Sequence, residues 1–308
     1  MVESIASGID DVLVNALSFK LQPGATYINE RKSCTFYASG SNEYTPSGTK
    51  LIKLVCASDG WLDPLTLRVQ FDVNNKMLVT PPVLPGTCLL RPFSGGWSFF
   101  HRLRILCGGV IVEDISEFAR TQEMFSVLIS KNSKVNMDAE GFGLDDFNYK
   151  TEVTTANFPG IPDGESQTIM FTPLSGLLSQ PKWIALRYAP ITIELELINN
   201  YTEPFVSNDI GLFTVQNTSI NWSLSNVMLK ADIVTLDSAL QNHYTEILMS
   251  GKTIPINYST YISSYQSILN GTAQGQQKVR LNVARSLSRL KSIFVSFYKP
   301  STVATPMY

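Results

Sequence analysis

The sequence predicts an all-β protein built as an antiparallel sandwich or barrel, and three observations predict it. Apolar and polar residues alternate with a period of two over several separate stretches. Turn-forming sequences such as SDG at 58–60, PG at 85–86, PGIPDG at 159–164 and NG at 270–271 separate those stretches. Helical periodicity is confined, beyond residue 30, to two segments that do not alternate regularly with the strands.

Taken in order, residues 9–17 read as a short helix, and residues 33–38 and 51–56 as strands. In LTLRVQFDV, Leu65, Leu67, Val69, Phe71 and Val73 share one face while Thr66, Arg68, Gln70 and Asp72 share the other. The apolar set, with Ile193 and Leu195 further on, is expected to be buried. RPFSGGWSFFHRLRILCGG at 91–109 packs aromatics, arginines and paired glycines together. Rings beside arginines suit a nucleic-acid groove, and glycines beside positive charge suit a phosphate cradle. The periodicity favours a plainer reading: a strand from Trp97, with Trp97, Phe99, His101, Leu103, Ile105 and Cys107 on one face. Gly108-Gly109 then closes a hairpin into VIVEDI, because both positions tolerate positive φ. Arg102 and Arg104 fall on the outer face, where a subunit contact or a structural salt bridge is expected.

ISEFARTQEMFSVLI follows as a helix, with Asp114 and Glu117 spaced as a cap pair and Ile115, Phe118, Phe125 and Leu128 on one side. Residues 167–172 and ITIELEL at 191–197 read as strands, as does VMLKADI at 227–233. SALQNHYTEILMSG reads as the second helix, capped by Asp237 and ended by Gly251, with Ala239, Leu240, Tyr244, Ile247 and Leu248 together. VRLNV at 279–283 and SIFVSF at 292–297 close the series as strands.

With 24 Lys and Arg against 26 Asp and Glu, the net charge of −2 argues against a dedicated nucleic-acid-binding domain. A charged fraction of 16% is well under the roughly 25% usual for soluble domains, so much of the surface is expected to meet partners. Cys34, Cys56, Cys88 and Cys107 form no C-x-x-C pair, which speaks for free thiols in a reducing compartment. The first residues carry acids where a signal peptide needs bases, and no run of 18 apolar residues occurs. Asn-x-Ser/Thr triplets at Asn200, Asn217, Asn221, Asn257 and Asn270 are what a Ser/Thr/Asn-rich chain produces by chance.

Motifs for chemistry are weak. SGKT at 250–253 has Glu246 where a phosphate loop needs glycine, and it follows a helix instead of opening one. Two histidines, His101 and His243, are too few for a three-histidine zinc centre, and no G-x-S-x-G elbow exists. Asp145 and Asp146 lack the order of a calcium-binding loop. Glu194 and Glu196 share a strand face as paired glycanase carboxylates could, although outward acids on a sandwich are ordinary.

Three blocks, NEYTPSGTKLIKL at 42–54, DGWLDPLTLRVQFDVNN at 59–75 and LRPFSGGWSFFHRLRILCGGVIVEDI at 90–115, resemble the double-jelly-roll major capsid proteins of tailless icosahedral double-stranded DNA viruses. They are most similar to those of polinton-like viruses and virophages. The resemblance implies an antiparallel jelly-roll sandwich with short helices in the inter-strand connections: a complete N-terminal jelly roll over 1–205 and the first part of a second, truncated one over 206–308. It implies a subunit that trimerises into pseudo-hexagonal capsomers and tiles an icosahedral shell, contacting copies of itself and other capsid proteins such as a penton protein. The expected location is the virion, after synthesis in the host cytoplasm or nucleus. Catalytic, cofactor-binding and metal-binding residues are none on this reading, with no membrane span and no sequence-specific nucleic-acid binding. The rival is a jelly-roll carbohydrate-binding module or glycanase, which would expose aromatics along a concave face beside its acids.

Overall fold

The structure is a computed structural model that describes residues 27–77, 90, 92, 94–130, 161–201, 203–204, 219, 221–266, 280, 282–283 and 289–297. Ten strands follow in chain order: β1 Ile28–Ser39, β2 Glu43–Tyr44, β3 Leu51–Cys56, β4 Trp61–Asn75, β5 Phe100–Cys107, β6 Val110–Ser116, β7 Ser166–Phe171, β8 Ile184–Ala185, β9 Ile191–Leu197 and β10 Trp222–Leu236. Two α-helices accompany them, α1 Phe118–Ser126 and α2 Ser238–Met249, with a 3-10 turn at Gly96–Phe99. The ladders among the described residues are antiparallel. The strand path runs β6-β5-β9-β3-β1-β10-β4-β7, with β2 added to β10 and β8 to β4.

The chain divides into two compact units, Met1–Arg31 with Thr235–Ile254, and Lys32–Val234 with Pro255–Tyr308. In the larger unit the chain changes ladder between β3 and β4, again between β4 and β5, and again between β7 and β9, so sequence neighbours pair with distant strands. That is a jelly-roll habit, and it stacks two ladders face to face. Phe71 of β4 meets Phe100 of β5 edge-on at 5.5 Å, and Phe99 meets Trp222 of β10 at 5.0 Å. Leu54, Val69, Phe71, Val73, Leu103, Ile105, Ile193, Leu195 and Leu229 lie fully inside. Burying each such side chain contributes roughly 1.5–3 kcal/mol, so this inter-ladder layer dominates the stability of the fold.

Strands expected from the sequence formed at β1, β3, β4, β5, β6, β7, β9 and β10, whereas the two-residue β2 and β8 were not anticipated. Leu65 is a correction: it is 50% exposed although its alternation partners are buried. Lys230 stands opposite Arg68 but Asp232 stands opposite Asp63, so β4 carries surplus residues that bulge outward. Thr66 Oγ1 accepts from Asp232 N at 2.9 Å and donates to Asp63 O at 2.8 Å, which fixes the bulge with Leu65 pointing to solvent.

The β5–β6 hairpin turns as expected at Gly108 (φ 57°) and Gly109 (φ 85°), both in the left-handed region. Its surroundings need two corrections. Strand β5 begins at Phe100, because Gly96–Phe99 winds into the 3-10 turn that buries both Trp97 and Phe99. Helix α1 begins only at Phe118, because Asp114, Ile115 and Ser116 remain paired in β6. Glu117 makes the corner in the left-handed region (φ 49°) with no side-chain cap, and Leu128 is exposed beyond the helix end. Two polar residues anchor α1: Gln122 bonds Thr172 O and Leu174 N, and Glu123 accepts from Trp97 Nε1 at 3.2 Å and from Ser94 Oγ.

The smaller unit holds α2 as expected. Asp237 accepts from Ala239 N at 3.0 Å, and Gly251 (φ 79°) ends the helix. Leu240, Tyr244, Ile247 and Leu248 are half-buried, whereas Ala239 is exposed. In the larger unit again, the strand expected at 292–297 is not formed. Those residues, and Arg280, Asn282 and Val283 within 279–283, have neither helix nor strand structure. The expectations for residues 9–17, 85–86 and 270–271, and for Cys88, Asp145 and Asp146, lie outside the described residues.

Candidate functional site

The outer face of the β6-β5-β9-β3 ladder carries a row of charges of alternating sign. Register places Arg104 between Asp114 on β6 and Glu194 on β9, and Glu194 opposite Lys53 on β3. Arg102 reaches diagonally to Asp114 with two parallel bonds, Nε to Oδ1 and Nη2 to Oδ2, each 2.7 Å. Hydrogen bonding to Asp114 holds the Arg102 guanidinium even higher than usual, against the opposing effect of burial. Arg104 Nη2 meets Glu194 Oε2 at 2.9 Å. Both arginines thus sit in structural ion pairs, and Glu194 is engaged with Arg104. The opposite outer face is laced by hydroxyls and amides, two of which bond the Asp72 carboxylate. Asp72 accepts from Thr168 Oγ1 at 2.5 Å and from Asn226 Nδ2 at 2.6 Å, while Asn74 donates to Ser225 Oγ at 2.9 Å. Both walls are therefore internally paired.

Residues named as chemical candidates are dispersed. His101 Nδ1 stands 3.7 Å from Glu117 Oε1 and lines a cavity of about 10 Å³ with Ser98, Arg120 and Glu203. That is room for about one water. Burial first, then the charge of Glu117, pushes the Glu203 carboxyl above its ordinary range. His243 lies beside Tyr244 on exposed helix α2. The SGKT segment at 250–253 is the end of α2, with Ser250 Oγ donating to Ile247 O at 2.7 Å. Trp61, Trp97 and Trp222 are buried, so no aromatic platform forms from them. Among the described residues, no three His, Cys, Asp or Glu side chains are placed to hold a metal ion, and no helix is long and apolar enough to cross a membrane. Cys34, Cys56 and Cys107 are free thiols; burial, with Cys34 adding, pushes Cys56 up to about 12.

Glu113 escaped the sequence reading. It is 2% exposed on the inner side of β6, opposite Ile105. Its carboxylate accepts from Ser175 Oγ, from Gly176 N at 2.9 Å and from Leu177 N at 3.4 Å. The signal was available: Glu113 shares strand parity with the buried Ile115, so alternation places it facing inward.

No family model matches the chain, and no curated protein matches it. Solved structures do. The chain is similar to the cryo-EM structure of the Sputnik virophage (TM-score 0.48, 14% identity, covering 72% of this chain and 51% of that one). It is similar to the Faustovirus major capsid protein (TM-score 0.42, 10% identity, 78% and 60%) and to the PBCV-1 virus capsid (TM-score 0.41, 14% identity, 74% and 47%). The chain spans about half the length of the structures it matches, and those structures are of viral capsids and a capsid protein.

Proposed function

We propose that this chain is a structural subunit of a viral shell, working by geometry and without catalysis or cofactor. The observation that carries the reading is where its resemblance falls. The blocks at 42–54, 59–75 and 90–115 include β2, β3, β4, β5 and β6, the strands that supply much of the inter-ladder core and the charge-paired outer wall. Three copies would associate into a pseudo-hexagonal capsomer, since head-to-tail contacts whose rotation closes build rings of fixed copy number. Capsomers would tile an icosahedral shell with a penton protein at the vertices, in virions assembled in the host cytoplasm or nucleus. Residues 1–205 would be the first jelly roll and 206–308 the opening of a second.

The test is sedimentation together with negative-stain microscopy of the purified protein. The reading expects threefold particles of hexagonal outline. A strict monomer at tens of micromolar that binds glycans would overturn it in favour of the carbohydrate-binding alternative.

A further inference from the structure

Among the described residues β6 is the last strand on the path, and an edge strand offers backbone groups to any other strand. It bears exposed apolar side chains, with Val110 69% and Ile111 51% accessible. Residues 255–263 pass along this strand without joining it as a strand. Tyr258 Oη donates to Val112 O at 3.1 Å, and Ser263 Oγ donates to Ser116 O. Side-chain hydroxyls thus occupy carbonyls of β6 that a neighbouring strand's amides would otherwise take.

Apolar packing and the buried carboxylate hold the segment down. Ile256, Tyr258 and Tyr261 pack on the core, and Tyr261 meets the ring of Phe125 at 4.8 Å. Glu113 ties β6 to the Ser175–Leu177 turn, and that turn backs the passing segment where Gly176 lies against Ser259 O. At Gly176 a Cβ would stand 1.8 Å from Ser259 O, so only glycine lets the segment lie this close.

We propose that residues 255–263 are a strap, latched by Glu113, that guards the β6 edge against antiparallel pairing with β6 of a second copy of this chain. Strand addition at an open edge is a recurrent mode of association, and a two-fold β6–β6 pairing would be self-complementary. The strap fills the edge with bonds that cannot propagate, because hydroxyl groups offer no ladder to extend. This inference does not depend on the capsid reading.

The experiment compares the full chain with Y258F/S263A, which removes both edge bonds and keeps the apolar packing, and with E113A, which removes the latch. Chymotrypsin cuts after Tyr or Phe, so Y258F keeps its cleavage site. Fragments ending at residue 258 or 261, followed by mass spectrometry, should appear on the order of tenfold faster in both variants, as the open population rises. Sedimentation velocity should show Y258F/S263A forming an added, concentration-dependent species in which two particles of the parent's size are joined. Equal cleavage rates in Y258F/S263A and parent overturn the strap, whatever E113A does to folding. Faster cleavage without added association overturns its guarding role. The parent's own particle size tests the capsid reading, and only the difference between variant and parent tests the strap.

Discussion

Two stretches with the same alternating pattern end differently. In β4, Val69, Phe71 and Val73 are completely buried; in SIFVSF, Ile293, Val295 and Phe297 are 72%, 65% and 78% exposed. β4 pairs with β7 on one side and β10 on the other, and rings from β5 and the 3-10 turn cover its face. Residues 292–297 join no strand ladder among the described residues, and Phe294 rests on Phe125 at 5.0 Å. Alternation supplies a face, but a ladder on each side and an opposing sheet bury it.

Truncating the two regions should show the largest difference. Phe71 touches Phe99, Phe100 and Phe171 within 6.1 Å, and Phe71→Ala should cost about 3–5 kcal/mol in urea unfolding. Phe297→Ala should change stability by no more than about 0.5 kcal/mol. Comparable losses at both positions would mean that the C-terminal face is buried in solution, and the contrast would collapse.

Gly176→Ala probes how the C-terminal part of the chain lies on the sandwich, where Gly176 meets Ser259. The new Cβ would meet the backbone carbonyl of Ser259, which has no flexible end to swing aside, so residues 255–263 must shift. Overpacking of this kind costs about 1–3 kcal/mol. Unfolding should register that loss, with faster chymotryptic cleavage after Tyr258 and Tyr261. A variant as stable and as resistant as the parent would mean the segment does not lie on Gly176.

The pH dependence of Glu113 sharpens the same junction. Burial pushes its carboxyl above the ordinary range, against the downward pull of Ser175, Thr260, Gly176 and Leu177. A folded pKa above the unfolded one means that the folded state holds the proton longer. Its contribution is therefore full below the unfolded value of about 4.3 and is lost as pH rises through the folded value. The neighbouring Tyr258 and Tyr261 hydroxyls and the Cys107 thiol are shifted up as well, so they do not titrate in that window. Stability of the parent relative to E113Q should accordingly fall as pH rises above the unfolded value of about 4.3. Urea titrations at stepped pH check this, and a difference that grows with pH would contradict it.

What was legible in the sequence follows the same division. The β5–β6 hairpin was readable because Gly108-Gly109 is a local signal with a local cause. So was α2, whose cap and terminator are adjacent residues. Leu65 was misread because its exposure depends on a register slip against β10, some 165 positions away, which no local pattern encodes. The start of α1 was misread for a related reason: Asp114 fits a cap by spacing, but pairing with β5 and the bonds from Arg102 claim it for the strand. The arginine-aromatic stretch was legible in part: alternation put Arg102 and Arg104 on the outer face, where a salt bridge was one of two expectations, but only cross-strand register supplies the partners, Asp114 and Glu194.

Those ion pairs set the smallest expected effect and separate two positions on one wall. The Arg102–Asp114 pair is bidentate, but its side chains keep 36% and 28% of their exposure; Arg104–Glu194 keeps 28% and 14%. Exposed pairs are worth about 0.2–1 kcal/mol, because water screens the attraction and two long side chains lose freedom. A double-mutant cycle on R102A and D114A should return a coupling in that range. Raising salt from 0.15 M to 1 M shortens the screening length from about 8 Å to 3 Å, so this coupling should shrink. The R104A and E194A cycle should lose a smaller share, because low exposure keeps salt ions away from the pair. If the two couplings fall equally with salt, the wall is uniformly wet. The inner pair would then offer a partner subunit no dry, prearranged surface at its centre.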